Sequence, residues 1–341
     1  MRRLLITGAA GFIGANFVHY WLANHTDDFI VGLDALTYAA NRDSLAAAMP
    51  DPRFRFVHGD IRDRLLVISL LKEERLDTIV HFAAESHVDR SISNPGVFLD
   101  TNVIGTHQLL EAARQVWLEK PAVEHRFHHV STDEVYGSLG VNDPPFTENS
   151  RYDPQSPYAA SKAASDHLVR AYGNTYGLKY TISNCSNNYG PYQFPEKLIP
   201  LCILNLLKGL PLPLYGDGQY IRDWLHVEDH CLGIDLILHH ERDGETYNIG
   251  GNCEYTNLDL IHRLCEIMDT CKPKAVSLPH SRLITFVTDR PGHDRRYAID
   301  ASKITRELGF SPRYPVESRL DETVRWYIRN ESWWRPIIKR A

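Results

Sequence analysis

A glycine-rich turn near the N-terminus limits what this chain can fold into more than any other feature. The apolar run at residues 3–7 leads into the sequence GAAGFIG at residues 8–14, and an amphipathic stretch follows at residues 15–24. The order strand, glycine turn, helix is typical of a dinucleotide-binding unit, because glycines let backbone amides approach a pyrophosphate at the positive end of the helix. The predicted contacts in this turn are Gly8, Gly11, Phe12, Ile13 and Gly14.

An acidic residue follows the next apolar run at the distance that a dinucleotide site requires. The run at residues 29–33 predicts a second strand, and it ends in Asp34, 20 residues after Gly14. A carboxylate at this place accepts hydrogen bonds from a ribose diol and repels a 2′-phosphate. The sequence therefore predicts NAD rather than NADP as the cofactor.

Apolar runs continue to alternate with helical segments along the first half of the chain. Further strands are predicted at residues 54–58, 78–82 and 127–131. Such alternation indicates an α/β fold, a Rossmann-type doubly wound parallel sheet, in which ligands gather at the carboxyl ends of the strands.

The composition of the chain changes after about Cys185, where loops rich in proline and aromatic residues begin. A chain of 341 residues also exceeds the size at which one hydrophobic core usually stops growing. We therefore predict an NAD-binding Rossmann domain at residues 1–188 with a returning segment near 222–250, and a smaller C-terminal α/β substrate lobe at residues 189–221 and 251–341.

Charge and cysteine usage narrow the class of protein. A net charge of −6 gives no electrostatic reason to expect a nucleic acid partner. The six cysteines form no CxxC pair, the chain begins on a predicted strand rather than a signal segment, and no apolar run approaches the roughly 18 residues of a membrane span. We expect a cytoplasmic protein with reduced thiols and no membrane contact. Neither the histidines between residues 81 and 129 nor the pair at 226 and 230 has a convincing third ligand, so no metal site is predicted.

The tripeptide Thr132-Asp133-Glu134 is followed, 24 residues after Glu134, by Tyr158 and then by Lys162. Tyr158 and Lys162 would lie one helical turn apart, so that the ammonium group lowers the pKa of the phenol and makes it a better base. Two adjacent carboxylates reach one substrate only from irregular backbone, since neighbours in a strand point to opposite faces. We therefore expect the tripeptide on a loop at a strand end, beside the Tyr158–Lys162 pair.

These motifs carry a resemblance to a known family. The glycine turn, Asp34, Asp60-Ile61 and the Tyr158-x-x-x-Lys162 pair resemble the extended short-chain dehydrogenase/reductase superfamily. Within it, the chain resembles the dTDP-glucose 4,6-dehydratase family, and the similarity extends over nearly its whole length. Three stretches carry that closer resemblance: residues 81–91, 131–137 and 184–191.

The resemblance implies a hydro-lyase that converts dTDP-glucose into dTDP-4-keto-6-deoxyglucose and water, with NAD as a bound catalyst. Tyr158 takes the proton of the sugar 4-hydroxyl while hydride leaves C4, and Thr132 binds the 4-oxygen. Glu134 removes the C5 proton and Asp133 protonates the C6 hydroxyl, after which hydride returns to C6. Lys162 also holds the nicotinamide ribose.

The resemblance further implies two sets of binding residues. Besides the glycine turn and Asp34, the cofactor contacts are Leu36, Thr37, Asp60, Ile61, Phe82, Ala83, Ala84, Ser86, Thr101, Tyr158, Lys162 and Asn188. The nucleotide-sugar contacts are Ser86, Thr132, Asn187, Lys197, Leu198, Pro213, Tyr215, Arg222, Asn257, Asp289, Arg290, His293 and Tyr297.

Other functions share part of this pattern. A UDP-sugar 4-epimerase would use Tyr158, Lys162 and the glycine turn but has no need of the Asp133–Glu134 pair. A 4,6-dehydratase of another nucleotide sugar would differ only in a few loop contacts, and a non-catalytic NAD-binding regulator could share the fold. The pathway after the keto sugar, to rhamnose, to an amino-deoxy sugar or to an antibiotic sugar, stays open. The helices expected at residues 102–115 and 156–172 resemble the superfamily's dimer interface, so we expect a homodimer.

Overall fold

The computed structural model describes residues 1–119, 124–240, 242–272, 279–289 and 293–340. Its strands are β1 Arg3–Thr7, β2 Phe29–Asp34, β3 Phe54–His58, β4 Thr78–His81, β5 Arg126–Thr132, β6 Tyr180–Cys185, β7 Asn187–Tyr189, β8 Leu212–Tyr215, β9 Ile221–His226, β10 Glu245–Ile249, β11 Glu254–Thr256, β12 Ile284–Val287 and β13 Arg296–Tyr297.

The α-helices surround these strands and alternate with them in the first half of the chain. They are α1 Phe12–Asn24, α2 Arg64–Glu73, α3 Val88–Ser93, α4 Pro95–Phe98, α5 Thr106–Ala113, α6 Pro157–Tyr176, α7 Leu198–Lys208, α8 Val227–His239, α9 Asn257–Cys271, α10 Ser302–Leu308, α11 Val316–Arg329 and α12 Glu331–Arg340. Two π-helical segments, Leu99–Gly105 and Arg114–Leu118, run directly into and out of α5. None of the helices in the described ranges combines the length and apolar content that a membrane span requires.

Seven strands form one parallel sheet in the order β10-β6-β5-β4-β1-β2-β3. Every neighbouring pair in this sheet is parallel. The chain order reverses between β1 and β4, which is the switch point where doubly wound sheets bind their ligands. The predicted fold class is confirmed, and the ends of the predicted strands match the observed ones to within one residue.

Side-chain alternation along the strands gives the large sheet two hydrophobic cores. Leu4 and Ile6 of β1 pack with α1 and α8 on one face, through residues such as Trp21 and Ile234. Leu5, between them in sequence, packs on the other face in a core to which α2, α5 and α6 contribute. Because neighbours in a strand point to opposite sides, one strand is covered on both faces, as a central parallel strand must be.

The later part of the chain builds smaller sheets. Strand β9 pairs with β7, β11 and β13, and β8 pairs with β12. A separate core there includes Trp224 of β9, Leu264 of α9 and Tyr327 of α11. Strand β10 returns to the large sheet beside β6, whereas β9, also within the predicted returning segment, lies in the smaller sheet. The domain boundaries themselves stay a prediction. All six cysteines are free thiols.

Candidate active site

A cavity of ≈ 390 Å³ opens at the carboxyl ends of the large sheet. It is lined by the glycine turn after β1, by the segments that follow β2 to β6, and by the start of α6. All five predicted catalytic residues line it: Thr132, Asp133, Glu134, Tyr158 and Lys162. Residues as far apart in the chain as Gly8 and Lys197 therefore share one cleft.

The glycine turn is closed so tightly that side chains are excluded. Gly8 has a φ of +70°, and a Cβ on it would lie 2.8 Å from the amide nitrogen of Ala83. A Cβ on Gly14 would lie 2.1 Å from the carbonyl oxygen of Gly8. Gly11 precedes the first turn of α1, which carries neither a side-chain cap nor an acidic residue. The free amides and the partial positive charge at the N-terminus of α1 therefore remain available to an anionic group in the cavity.

Asp34 stands at the end of β2 with its carboxylate held by the backbone. It is 7% exposed, and its two oxygens accept hydrogen bonds from the amides of Ala10 (2.9 Å) and Leu36 (2.7 Å). Burial raises its pKa, and these two hydrogen bonds oppose the rise. Leu36 adopts a φ of +53° and lies outside the cavity wall, so its part in the site is to donate its amide to Asp34.

The remaining predicted cofactor residues also line the cavity: Thr37, Asp60, Ile61, Phe82, Ala83, Ala84, Ser86, Thr101 and Asn188. Asp60 is paired with Arg62, whose Nη2 lies 2.6 Å from Oδ2. Together with the side-chain-free turn and the carboxylate of Asp34, these residues fit a dinucleotide: an amide-rich end for the pyrophosphate and an acceptor for a ribose diol.

The tripeptide Thr132-Asp133-Glu134 marks the exit of β5. The strand ends at Thr132, and Asp133–Tyr136 form one turn of 3₁₀-helix rather than the predicted loop. The hydroxyl of Thr132 accepts a hydrogen bond from the amide of Glu134 (3.3 Å) and so caps this turn. The turn breaks the up–down alternation of the strand, which allows both carboxylates to line the same cavity.

Asp133 is almost completely buried, with 2% of its surface exposed. Burial raises its pKa well above the ordinary value, and the negative charges of Glu134 and Asp223 raise it further, whereas Arg222 opposes the rise. Burial and neighbouring negative charge both favour the protonated form of this carboxyl group. Asp133 is therefore suited to donate a proton rather than to accept one.

Tyr158 and Lys162 lie in the first turns of α6, which begins at Pro157 with Ser156 as its N-cap. Lys162 is 4% exposed, and its Nζ donates a hydrogen bond to the carbonyl oxygen of Val130 (2.8 Å). Tyr158 is hydrogen-bonded to Thr132. The two halves of the predicted catalytic set, one from β5 and one from α6, therefore meet directly.

The predicted direction of the pKa of Tyr158 is wrong for the ligand-free cleft. Burial raises the pKa of Tyr158 well above its ordinary value, and the negative charge of Glu134 raises it further. The ammonium group of Lys162 is directed to the carbonyl of Val130, and burial lowers the pKa of Lys162 itself. Helical spacing places the cation one turn away, but it does not determine which oxygen the cation binds.

The predicted substrate residues fall into two groups. Ser86, Thr132, Asn187 and Lys197 line the cavity, and Nζ of Lys197 lies 3.1 Å from the carbonyl oxygen of Ser86. Leu198 begins α7 directly after Lys197, outside the cavity wall. Arg290 lies outside the described residues.

The second group surrounds β8, β9 and β13 beyond the tripeptide: Pro213, Tyr215, Arg222, Asn257, Asp289, His293 and Tyr297. The guanidinium of Arg222 lies 4.3 Å from the centre of the Tyr297 ring. Burial raises the pKa of Tyr297, and the charge of Glu134 adds to the rise. The positive charge of Arg222 opposes the rise in the pKa of Asp133, so this group borders the catalytic end of the cleft.

Three polar cleft residues are not among the predicted contacts, although one of them, Glu85, lies within the stretch 81–91 that carries the resemblance. Glu85, Glu196 and Tyr38 line the cavity. Tyr38 is hydrogen-bonded to Glu196, and the guanidinium of Arg90 lies 3.6 Å from the centre of its ring. The sequence signal for Glu196 was its position directly before the predicted substrate residue Lys197.

The histidines weighed as metal ligands have other partners. His81 is hydrogen-bonded to Thr7 and Thr106, and His128 to Thr181 and Ser183. Elsewhere, His25, Asp235 and His239 bring three ligand atoms within 4.8 Å of one another. Asp235 already pairs with both histidines: its Oδ1 lies 3.2 Å from Nε2 of His25 and 2.8 Å from Nδ1 of His239.

A family model described as GDP-mannose 4,6 dehydratase matches residues 5–323, a range that contains every residue of the cleft. The chain belongs to this family. The dTDP-glucose 4,6-dehydratase of Neisseria meningitidis serogroup B is 52% identical over 343 residues, covering 99% of this chain and 96% of that protein. The one of Salmonella typhimurium is also 52% identical, covering 97% of this chain and 94% of that protein. The predicted family is confirmed.

Solved structures separate two branches of the same fold. The Streptomyces venezuelae dTDP-glucose 4,6-dehydratase DesIV, with NAD bound, is 50% identical with a TM-score of 0.89 and covers 98% of this chain and 99% of its own. The Bacillus anthracis dTDP-glucose 4,6-dehydratase, in complex with NAD, is 47% identical with a TM-score of 0.87 over 99% and 100% of the two chains. A Thermotoga maritima UDP-glucose 4-epimerase has a TM-score of 0.84 over 96% and 99%, but is only 26% identical. Both branches share the fold of this chain, but its sequence identity to the dehydratases is much higher than its identity to the epimerase.

Proposed function

We propose that this chain is an NAD-dependent dTDP-glucose 4,6-dehydratase, a hydro-lyase that forms dTDP-4-keto-6-deoxyglucose and water. The observation that carries the proposal is the meeting of the Thr132–Glu134 turn with Tyr158 in the cavity that also holds the glycine turn. An oxidation at C4 alone requires only the tyrosine and the cofactor. An elimination also needs a proton donor and a base, and the buried acid Asp133 and the second carboxylate, Glu134, can supply them.

NAD fits the cradle described above, with its pyrophosphate at the N-terminus of α1 and a ribose diol on Asp34. When bound, NAD accepts hydride from C4 of the sugar and later returns it to C6. Because the hydride is returned, no net oxidation occurs and the cofactor is not consumed. We therefore expect the purified protein to retain it.

Tyr158 and Thr132 act on the sugar 4-hydroxyl. Thr132 hydrogen-bonds the 4-oxygen, and Tyr158 takes its proton as C4 becomes a ketone. The raised pKa of Tyr158 in the ligand-free cleft means that added positive charge must lower it before the phenol works as a base. Lys162, one helical turn away, is the cation of this chain to which we assign that role.

Glu134 and Asp133 divide the elimination between them. Once C4 is a ketone the C5 hydrogen is acidic, and Glu134 removes it as a proton. Asp133, kept protonated by burial, donates its proton to the C6 hydroxyl, which leaves as water. Glu134 then returns a proton to C5 as hydride arrives at C6, so the product carries a methyl group at C6.

The nucleotide sugar extends from the catalytic end toward the second lobe. Ser86, Asn187 and Lys197 line the cavity beside the sugar site. Arg222 suits the diphosphate, because a guanidinium offers paired, charge-assisted hydrogen bonds. The residues around β8 and β13 complete the nucleotide end.

The deciding experiment is incubation of the purified protein with dTDP-glucose, UDP-glucose and CDP-glucose without added NAD. We expect dTDP-glucose to lose one water by mass and to give the alkaline absorbance of a 4-keto sugar. Unchanged mass with an inverted sugar would identify a 4-epimerase, the alternative that shares the fold and Tyr158. Turnover of UDP- or CDP-glucose alone would identify a 4,6-dehydratase of another nucleotide sugar.

We also propose that the enzyme is a cytoplasmic homodimer. Helices α5 and α6 pack against each other, and Tyr176 at the end of α6 is half exposed. Six free cysteines agree with a reducing compartment. Light scattering at micromolar concentration tests the assembly: twice the chain mass is expected, and a clean monomer mass contradicts it. Cell fractionation tests the location.

A further inference from the structure

A carboxylate that the proposed chemistry does not use lies directly beneath the catalytic pair. Asp166 is one turn beyond Lys162 on α6 and is completely buried, with 0% of its surface exposed. Tyr158, Lys162, Asp166 and Arg170 are spaced by four residues, so they form one column along the helix. A buried negative charge is unfavourable unless charged or hydrogen-bonding partners surround it.

The partners of Asp166 come mainly from β5. Its Oδ2 accepts hydrogen bonds from the hydroxyls of Ser131 (2.8 Å) and Tyr152 (2.9 Å), and its Oδ1 lies 3.1 Å from Nε2 of His129. His129 and Ser131 flank Val130, whose carbonyl oxygen accepts the hydrogen bond from Lys162. Asp166 therefore holds the strand on both sides of the carbonyl that positions the lysine.

The charges around Asp166 also connect it to Lys162. Burial lowers the pKa of His129 to about 4, so this imidazole is neutral near neutral pH. Burial also lowers the pKa of Lys162, and the negative charge of Asp166 is the main influence that raises it again. Arg170, whose Nη2 lies 2.9 Å from the hydroxyl of Tyr152, supplies a second cation at the other end of the column.

We propose that Asp166 is a positioning residue: it ties the strand end that carries the Thr132–Glu134 turn to the helix that carries Tyr158 and Lys162, and it keeps Lys162 a cation. The proposal rests on the proposed function, because it assigns Asp166 to that reaction. Asp166 affects the reaction only indirectly, through Lys162 and β5.

Asp166→Asn tests the charge while keeping the shape of the side chain. We expect kcat to fall about 10- to 100-fold, the effect of a small misplacement of reacting groups, with KM within about 3-fold of wild type. The alkaline limb of the kcat profile should move to lower pH, because Lys162 loses its proton more easily without the carboxylate. The other titratable groups that face Lys162 are Tyr158 on α6, His129 on β5, His81 on β4 and Cys185 on β6.

Two variants serve as controls. Asp28→Asn removes a buried carboxylate directly before the amino end of β2, where it accepts hydrogen bonds from the amide of Arg2 and from Trp21. This variant should leave kcat and the pH profile unchanged. Tyr152→Phe removes one hydrogen bond to Asp166 but keeps its charge, so kcat should change by less than about 3-fold and the alkaline limb should stay in place.

Wild-type kcat and an unmoved alkaline limb in Asp166→Asn would overturn the proposal, and so would an equal loss in Asp28→Asn. If Asp166→Asn does not fold, Ser131→Ala decides, since it removes the hydrogen bond through which the carboxylate holds β5, whereas Tyr152 lies outside that strand; a several-fold lower kcat is expected and a wild-type kcat contradicts it. If the wild-type protein turns over no nucleotide sugar, the proposed function fails separately. Crystal structures of wild type and Asp166→Ala then decide: the Lys162–Val130 contact of 2.8 Å should be lost in the variant, and an unchanged contact overturns the role.

Discussion

The two halves of the cleft are built by different means. At the glycine turn the binding surface is backbone, and the requirement on the sequence is mainly that no side chain intrudes. At the meeting of β5 and α6 the surface is made of buried polar side chains, each of whose protonation depends on its neighbours. We expect substitutions at the glycine turn to act by steric clash and to reduce cofactor retention. Substitutions where β5 meets α6 should act by changing charge and proton transfer.

The largest effect is expected at the tightest position of the glycine turn. Gly14→Val places a Cβ 2.1 Å from the carbonyl oxygen of Gly8, which is backbone and cannot move aside. Overpacking of this kind costs about 1–3 kcal/mol or more of the free energy of unfolding. We expect a protein with a lower melting temperature and no bound NAD, measured by thermal denaturation and by cofactor release on denaturation.

Gly96→Ala is the matched control for that variant. A Cβ on Gly96, in α4, meets its nearest atom at 4.0 Å. Its melting temperature and NAD content should equal those of wild type. A Gly14→Val protein that retained NAD would show that the cradle tolerates a side chain, and the contrast between the two halves would be lost.

In the catalytic half, Tyr158→Phe should have the largest effect on turnover. The change removes the hydroxyl that takes the proton from the sugar 4-hydroxyl and leaves the ring in place. We expect kcat to fall by about 10²- to 10⁴-fold, the usual contribution of acid–base catalysis, with NAD still bound. Rapid mixing with dTDP-glucose should show no reduced cofactor, because the first step is suppressed. A rapid burst of reduced cofactor in this variant would assign the proton transfer to another group.

Glu134→Gln should lower turnover by a similar or smaller factor but stop the reaction at a later stage. The amide has the shape of the carboxylate and cannot remove the C5 proton, so C4 oxidation proceeds and elimination does not. We expect reduced cofactor to accumulate on the enzyme when dTDP-glucose is added, read by its near-ultraviolet absorbance. Identical behaviour of this variant and Tyr158→Phe, with no reduced cofactor in either, would contradict the division of roles.

The same contrast explains what could be predicted from the sequence. The glycine turn and Asp34 were predictable because they depend on residues close together in the chain, and the strand at residues 127–131 was found within one residue at either end. The partner of Lys162 was not predictable, because the carbonyl of Val130 is brought to it by the packing of α6 on β5. For the same reason the pKa of Tyr158 was predicted in the wrong direction: helical spacing suggests a neighbouring cation, whereas burial and Glu134 depend on the folded cleft.

The smallest effect is expected at Asp34, which belongs to the cofactor half but acts through charge. Asp34→Asn keeps only one of the two acceptor oxygens that the amides of Ala10 and Leu36 use, and it removes the negative charge that repels a 2′-phosphate. We expect NAD to bind about 10-fold more weakly, in line with the loss of about 1.4 kcal/mol from a hydrogen bond to a charged group, while NADP binds better. Both affinities can be measured by titrating protein from which the cofactor has been removed. A variant with wild-type preference for NAD would place the discrimination in groups other than the carboxylate of Asp34.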